Sequence, residues 1–328
     1  MTQPRTTPPS AADAPIAPVE AARRRHYGAF YGLDPLPEDD GRPLAIVLGN
    51  CQAESLRVLL GEDPQASLRT VRVPPVFELT ADDLPHLARL LDRVDVLVSQ
   101  PVRADYRDLP IGTAQIMAGL RRGGRLVLVP PLRYAGLYPR HVIVRSGPAG
   151  DAGDPPLAPY HDLATALIAA GESDALVRVV SQPSTAGIRA VARTSIAEVE
   201  RRERRHGTVV ASDLIAPAGA DTAHTINHPG NTVLIGLARR VQQRLGLPAE
   251  AADPGRTLLR SIHAPLTEGV CAALDLPSAA VREGWTIDGR AVPDEAIRDA
   301  HLAWYAHHPG LAEHVLAARA ETLAQLRA

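Results

Sequence analysis

Residues 44–60 read LAIVLGNCQAESLRVLL, and this stretch decides the fold. Its first five residues form an uninterrupted apolar run, which is typical of a strand buried on both faces of a sheet. After Gly49, the residues Ala53, Leu56 and Leu60 fall at helical spacing. A buried strand followed directly by an amphipathic helix is the unit from which parallel α/β sheets are built.

The same alternation continues along the first half of the chain. Further strands are predicted at 68–73, 94–98 and 125–129, an edge strand at 141–145, and helices at 82–93 and 111–120. Strands that alternate with helices are joined by right-handed crossovers. The sequence therefore predicts an α/β fold with a mostly parallel, doubly wound sheet.

The second half of the chain has a different pattern. After the Gly, Pro and Asp-rich segment 146–159, helices are predicted at 160–170, 173–180, 195–205, 231–245, 294–306 and 311–327. The first twenty residues contain five prolines among small and polar residues, which is typical of disorder. We therefore predict a disordered tail (1–22), a parallel α/β subdomain (23–150) and a mainly helical subdomain (151–328).

Composition excludes several classes of protein. All 35 basic side chains are arginines, so a lysine Schiff base and a lysine-containing phosphate loop are excluded. A formal charge of −2 argues against a broad nucleic-acid interface. The two cysteines form no CxxC pair, and no apolar run reaches the length of a membrane span. We expect a cytoplasmic protein with no transmembrane segment and no nucleic-acid partner.

Cys51 is the strongest candidate for a catalytic residue. It follows the first strand, where ligands bind in open parallel sheets, and it precedes a helix. The N–H groups and positive end of a helix stabilise a thiolate, so we expect a lowered thiol pKa. The same N–H groups, with the amide of Asn50 or Gln52, would form an oxyanion hole. The alternative is a small cysteine packed between strand and helix.

His228 is the second candidate. Pro229 is expected at the first position of a helix that carries Asn231, which places His228 at the N-cap. The positive helix end would keep the imidazole neutral and able to accept a proton. His224 and His228 have metal-ligand spacing but precede the helix, so we predict no metal site. The alternative is that His228 only caps or packs.

A third group of residues follows the other strands, at the same sheet edge. Amides, tyrosines and arginines there suit an anionic ligand such as a nucleotide, although ordinary turns also fit the pattern. The residues predicted to bind a cofactor are Gln100, Arg103, Arg133, Tyr134, Gly136, Tyr138, Arg140 and Asn231.

Four segments together resemble a known family: GNCQAESLRVLL at 49–60, SQPV at 99–102, PLRYAGLYP at 131–139 and NHPGN at 227–231. They resemble the WcbI-like family of polysaccharide biosynthesis proteins. This resemblance implies a cradle of two subdomains around a coenzyme A pocket, and an acetyltransferase role in capsule formation. The layout also resembles SGNH-type esterases, except that Thr225 stands where those enzymes have an acidic residue, which leaves Asp213 or Asp221 as candidates to orient His228.

The leading hypothesis is a bacterial CoA-dependent acyltransferase that uses Cys51 and His228. Acetyl-CoA or another acyl-CoA would be the donor and a sugar hydroxyl the acceptor, with Cys51 acting either as a nucleophile or as part of the site wall. The second hypothesis is an esterase or thioesterase. The third is a non-catalytic CoA- or nucleotide-binding partner of other glycan-assembly proteins. If CoA binds, its phosphates must contact arginines, with Arg23 to Arg25 as further candidates.

Overall fold

The computed structural model describes residues 18–63 and 65–328. Its central feature is a parallel sheet of four strands in the order β2-β1-β3-β4. The strands are β1 (Leu44–Leu48), β2 (Arg69–Val71), β3 (Val96–Ser99) and β4 (Arg125–Leu128). The α/β fold class predicted from the sequence is confirmed.

The helices of the first half are α1 (Pro18–His26), α2 (Gly28–Tyr31), α3 (Gln52–Gly61), α4 (Leu84–Leu91) and α5 (Thr113–Ala118). Those of the second half are α6 (Pro148–Ala152), α7 (Leu163–Ala169), α8 (Asp174–Ser181), α9 (Thr185–His206), α10 (Asn231–Arg244), α11 (Glu268–Ala273), α12 (Asp294–Ala306), α13 (Leu311–Ala318) and α14 (Ala320–Arg327).

Short strands accompany these helices. β5 (His141–Val142) pairs with β6 (His161–Asp162), and β7 (Ala223–Thr225) pairs with β8 (His228–Pro229). A small antiparallel sheet joins β9 (Ile262–His263), β10 (Trp285–Ile287) and β11 (Arg290–Val292). The predicted edge strand at 141–145 is therefore a two-residue strand outside the main sheet.

Both faces of the central strand are buried. Ala45 and Val47 contribute to one core, which includes apolar residues of α3 and α10. Leu44, Ile46 and Leu48 contribute to a second core with α4 and α5. Helices therefore cover both sides of the sheet, as expected for a doubly wound fold. The first core also includes residues of the C-terminal half. The subdomain boundary near residue 150 stays a prediction.

Two predicted helices have wrong boundaries. α9 begins ten residues earlier than predicted, because the Ser184 side chain caps it by accepting the Gly187 N–H at 3.0 Å. The helix predicted at 311–327 is broken at Arg319, whose φ is −124° and ψ is 27°. The guanidinium of Arg319 donates to the carbonyl of Ile143.

The N-terminal prediction also needs a correction. α1 begins at Pro18, so the disordered tail predicted for 1–22 is wrong over 18–22; residues 1–17 lie outside the described residues. Arg23 anchors this helix by donating to Asp83 Oδ2 at 2.8 Å, and Asp83 also accepts from the Tyr31 hydroxyl at 2.7 Å. The basic segment therefore docks on the protein body. None of the described helices is long and apolar enough to cross a membrane.

Candidate active site

Cys51 lies where the sequence places it, between the carboxyl end of β1 and the start of α3. The residue is partly buried. The side-chain oxygen of Asn50 accepts the N–H of Gln52 at 2.9 Å, which closes the turn. The Asn50 amide nitrogen makes no hydrogen bond within the described part of the chain. The thiol and one free amide donor thus share a turn at the sheet edge.

The pKa of Cys51 differs from the sequence-based expectation. Burial raises the pKa of the thiol above its ordinary value. The backbone N–H groups of Cys51 and Gln52, and then Arg145 and Arg133, act in the opposite direction but do not outweigh burial. The prediction of a lowered pKa is wrong because the helix end is not open to water. Cys51 is therefore mainly a neutral thiol at pH 7.

Gln52 is a structural connector. Its buried amide nitrogen donates to the carbonyls of Leu132 at 2.7 Å and Asn227 at 2.8 Å. Its oxygen accepts the Leu132 N–H at 3.0 Å and the Gln100 amide at 3.1 Å. Both ends of the amide are occupied, so the predicted use of Gln52 in an oxyanion hole is wrong. The side chain instead joins three loops.

Gln100 belongs to the same network. Its oxygen accepts the Asn50 N–H at 2.9 Å. A Cβ on Gly49 would lie 2.6 Å from that oxygen, so glycine is required for the close approach. Gln100 therefore positions the Cys51 turn, and its amide does not face an open ligand site.

His228 is not an N-cap. It lies in β8 opposite Thr225, and α10 begins three residues later with Gly230 as its N-cap. The prediction fails because a residue before proline favours extended backbone, and Pro229 itself stays paired in the strand. Burial and then His263 lower the pKa of His228 to about 4. The imidazole is neutral, as expected, but burial and not a helix end is the cause.

Neither candidate orienter makes a hydrogen bond to His228 in the described structure. Asp213 is paired with Arg240, its Oδ2 accepting at 2.6 Å, and Asp221 accepts the Thr232 N–H at 2.9 Å. His228 Nδ1 is buried without a hydrogen-bond partner. No hydrogen bond joins Cys51 to His228 in the described structure, although Gln52 holds the preceding residue, Asn227. The two candidates are neighbours in the fold but not a preformed pair.

Tyr160, which the sequence did not single out, interacts electrostatically with Cys51. The Tyr160 hydroxyl lies 2.7 Å from Thr225 Oγ1 and donates to Asn227 Oδ1 at 2.8 Å. Burial raises the pKa of Tyr160, and a charge on Cys51 raises it further. Thr225, at the position of the SGNH acid, is therefore engaged by a tyrosine. In the sequence, Tyr160 is only the first residue of a predicted helix, and it belongs to no motif that would indicate a role in the site.

An arginine cluster lies beside Cys51. Arg133 is exposed to solvent, but its guanidinium group lies close to other cations. Burial lowers the pKa of this guanidinium, and so do three nearby cations: Arg202, Arg145 and Arg319. Arg145 and Arg202 have carboxylate partners, whereas Arg133 has none in the described structure. The excess of positive charge suits an anion.

The other predicted arginines lie elsewhere. The exposed Arg103 packs 6.0 Å from the Tyr106 ring centroid and borders a separate groove with Arg205. Arg140 Nε lies 3.3 Å from Asp162 Oδ2. The structure therefore brings Arg133 to the thiol but not Arg103 or Arg140.

The remaining predicted cofactor residues have structural contacts. Tyr134 is buried over Gly136, where a Cβ would lie 2.2 Å from its hydroxyl. The Tyr138 hydroxyl donates to the Ala223 carbonyl at 2.7 Å and accepts from Arg282 at 2.8 Å. Asn231 donates to the Arg256 carbonyl at 2.9 Å and accepts the Leu258 N–H at 3.0 Å. Tyr138 and Asn231 thus have no free polar group for a cofactor.

Comparison with known proteins identifies the family. A family model described as polysaccharide biosynthesis enzyme WcbI matches residues 44–250, more than half of the chain. The chain belongs to the WcbI family. A solved structure described as WcbI, a novel polysaccharide biosynthesis enzyme, shares 19% identity and a TM-score of 0.73, covering 87% of this chain and 98% of that one. It is described as native protein without a disulfide bond between CoA and one of its cysteines. At this identity the likeness shows the fold, and no curated protein matches the chain.

Proposed function

We propose that the protein transfers an acyl group from acyl-CoA to a hydroxyl of a sugar or polysaccharide precursor. The observation that carries the proposal is the position of the Cys51 thiol, at the carboxyl end of the central strand and beside the arginine cluster. The description of the structural neighbour, in terms of CoA and a cysteine, supports coenzyme A as the ligand.

The arginine cluster would bind the phosphates of the donor. Arg133 has no carboxylate partner in the described structure, and Arg319 donates to a carbonyl. Guanidinium groups bind phosphate with charge-assisted, bidentate geometry. In a chain without lysine, this cluster is the group of cations best placed to hold an anionic donor near the thiol.

The proposed chemistry has two steps at Cys51. Cys51 gives its proton to neutral His228, Sγ attacks the thioester carbonyl, the carbon–sulfur bond to CoA breaks, and His228 passes the same proton to the released CoA thiolate. The acceptor oxygen then attacks the acyl-cysteine and loses its proton, and Cys51 is released as a thiol. The free Asn50 amide nitrogen is the donor we assign to the developing oxyanion, in place of Gln52. Neutral His228 is assigned to the acceptor's proton.

Acyl-CoA turnover with and without a sugar acceptor tests the proposal. We expect acylated sugar by mass spectrometry, CoA release that depends on acceptor, and at least about a hundredfold loss of kcat in Cys51→Ser. Cys271→Ser is the matched control, because Cys271 is buried in α11 away from the turn. Release of CoA without acceptor would indicate a thioesterase instead. Full activity of Cys51→Ser would replace the covalent route with direct transfer.

A further inference from the structure

A cavity of about 200 Å³ lies between α7, α8 and α12 and includes residues of β6 and β10. It opens beside Ile168, which is 42% exposed, and beside the exposed Arg298. Drug-sized ligands occupy pockets of about 300 Å³ or more, so this cavity suits one monosaccharide-sized unit. The site at Cys51 does not include it.

Aromatic rings form one wall. Four rings stand nearly parallel in a column: Tyr138 and His141 at 5.9 Å and 6°, His141 and Trp285 at 5.0 Å and 23°, then Trp285 and Tyr160 at 6.2 Å and 16°. The last three of these residues line the cavity. Trp285 is fixed further, because its indole N–H donates to Asp294 at 2.9 Å.

The polar lining is charge-balanced. The carboxylates of Asp162 and Asp294 face the cavity region together with the guanidiniums of Arg140 and Arg298. Burial lowers the pKa of His141 to about 4, so this ring adds no charge at pH 7. Two carboxylates against two guanidiniums favour an uncharged ligand, unlike the cluster around Arg133.

Three lining side chains have buried polar atoms that lack a hydrogen bond. His141 Nδ1 and His301 Nδ1 have no hydrogen-bond partner in the described residues, and Asp162 Oδ2 has an ion pair with Arg140, at 3.3 Å, instead of a hydrogen bond. Buried polar atoms are normally paired with protein, water or ligand. A hydroxylated ligand both donates and accepts hydrogen bonds, so it matches carboxylates, guanidiniums and imidazoles in one small space.

We infer that this cavity binds the acceptor of the acyl group, as an uncharged hexose-like unit. Tyr160 lies between the cavity and the Cys51 site. Its ring lines the cavity, and its hydroxyl makes hydrogen bonds with Asn227 and Thr225. The assignment of the ligand as acceptor rests on the proposed function. The binding of the sugar does not.

Binding is tested without acyl-CoA. The protein contains two tryptophans, so in a Trp304→Phe background the fluorescence of Trp285 reports on the cavity. Titration with glucose, galactose, mannose and their 2-acetamido forms is expected to change this fluorescence saturably for at least one sugar. Inorganic phosphate is expected neither to bind nor to compete. No saturable change with any of these sugars, or competition by phosphate, would overturn the inference.

Variants locate the binding. Arg298→Ala, at an exposed position, is expected to weaken sugar binding about tenfold, as is Asp294→Asn, which can still accept from Trp285. Arg193→Ala, an exposed helical arginine outside the cavity, is the control. In turnover the same two variants should raise KM for the sugar and leave KM for acyl-CoA unchanged. Transfer with unchanged sugar KM would overturn this inference alone, whereas sugar binding without transfer would overturn only the proposed function.

Discussion

The turn Gly49–Gln52 and the segment 224–228 are neighbours that satisfy their polar groups in opposite ways. In the turn, the N–H groups of Asn50 and Gln52 and both ends of the Gln52 amide are hydrogen-bonded. In the segment, His224 Nε2 and His228 Nδ1 are buried without partners. The difference indicates two roles. The turn fixes the position of the thiol, and the segment provides neutral imidazoles whose ring nitrogens can still bond to a ligand.

The Gln52 side chain joins the turn to the segment through its hydrogen bond to Asn227. We expect its replacement to have the largest effect on stability. Gln52→Leu would leave the carbonyls of Leu132 and Asn227 and the Gln100 amide without their partner. We expect a loss of about 3 to 6 kcal/mol in the free energy of unfolding, measured by urea denaturation. The exposed Gln243→Leu is the control. A loss below about 1 kcal/mol in Gln52→Leu would show that the turn is held by other contacts.

The pH dependence of stability tests the other region. The folded-state pKa values of His224 and His228 are about 4, below the ordinary value of 6.5. The unfolded chain therefore binds more protons between these values, so stability is fully present above pH 6.5 and is lost as the pH falls toward 4.

His228→Gln should make this loss smaller by about 2 kcal/mol, because one buried imidazole no longer opposes protonation. Urea midpoints at pH 8, 6 and 5 provide the measurement, with the pH 8 values serving to separate any direct effect of the substitution on packing. Parallel curves for the variant and the unmodified protein would contradict a lowered pKa of His228 in the folded state.

The sequence was sufficient for the features that depend on local pattern. The buried run 44–48 and the helix after it placed Cys51 at the sheet edge, because strands of a parallel sheet end on the same side. It was not sufficient for Gln52, whose partners Leu132 and Asn227 are 80 and 175 residues away. The sequence therefore predicted a free amide for catalysis, because a local pattern does not show that two distant loops hydrogen-bond to it.

His228 shows the same limit from another cause. The rule that proline favours the first helical turn is correct in general, but pairing of β7 with β8 keeps this proline in a strand. Likewise, the helix end that should lower the pKa of Cys51 is present, but burial outweighs it. In both cases the local rules predicted the wrong local environment for the candidate residue.

Gly49→Ala should sharpen the picture of the rigid turn. The added methyl would lie 2.6 Å from Gln100 Oε1, so Gln100 must move and the Asn50 N–H loses its acceptor. We expect a destabilisation of about 1 to 3 kcal/mol by thermal or urea denaturation. Gly269→Ala in α11 is the control, since its Cβ would meet nothing within 4 Å. Equal effects of the two substitutions would contradict a tightly packed turn.

The smallest effect is expected at the thiol itself. Arg145 lowers the pKa of Cys51 through its charge, against the dominant effect of burial, so Arg145→Ala should raise this pKa further. Only the thiolate reacts with iodoacetamide, so we expect the alkylation rate of Cys51 at pH 8 to fall about threefold in Arg145→Ala. Arg189→Ala is a close control, because Arg189 is also exposed and paired with an aspartate, at 3.2 Å, as Arg145 is at 3.0 Å. Cys271→Ser in both backgrounds restricts the reaction to Cys51. A rate that is unchanged in Arg145→Ala, or lowered equally in Arg189→Ala, would mean that the cations near the turn serve an anionic ligand without tuning the thiol.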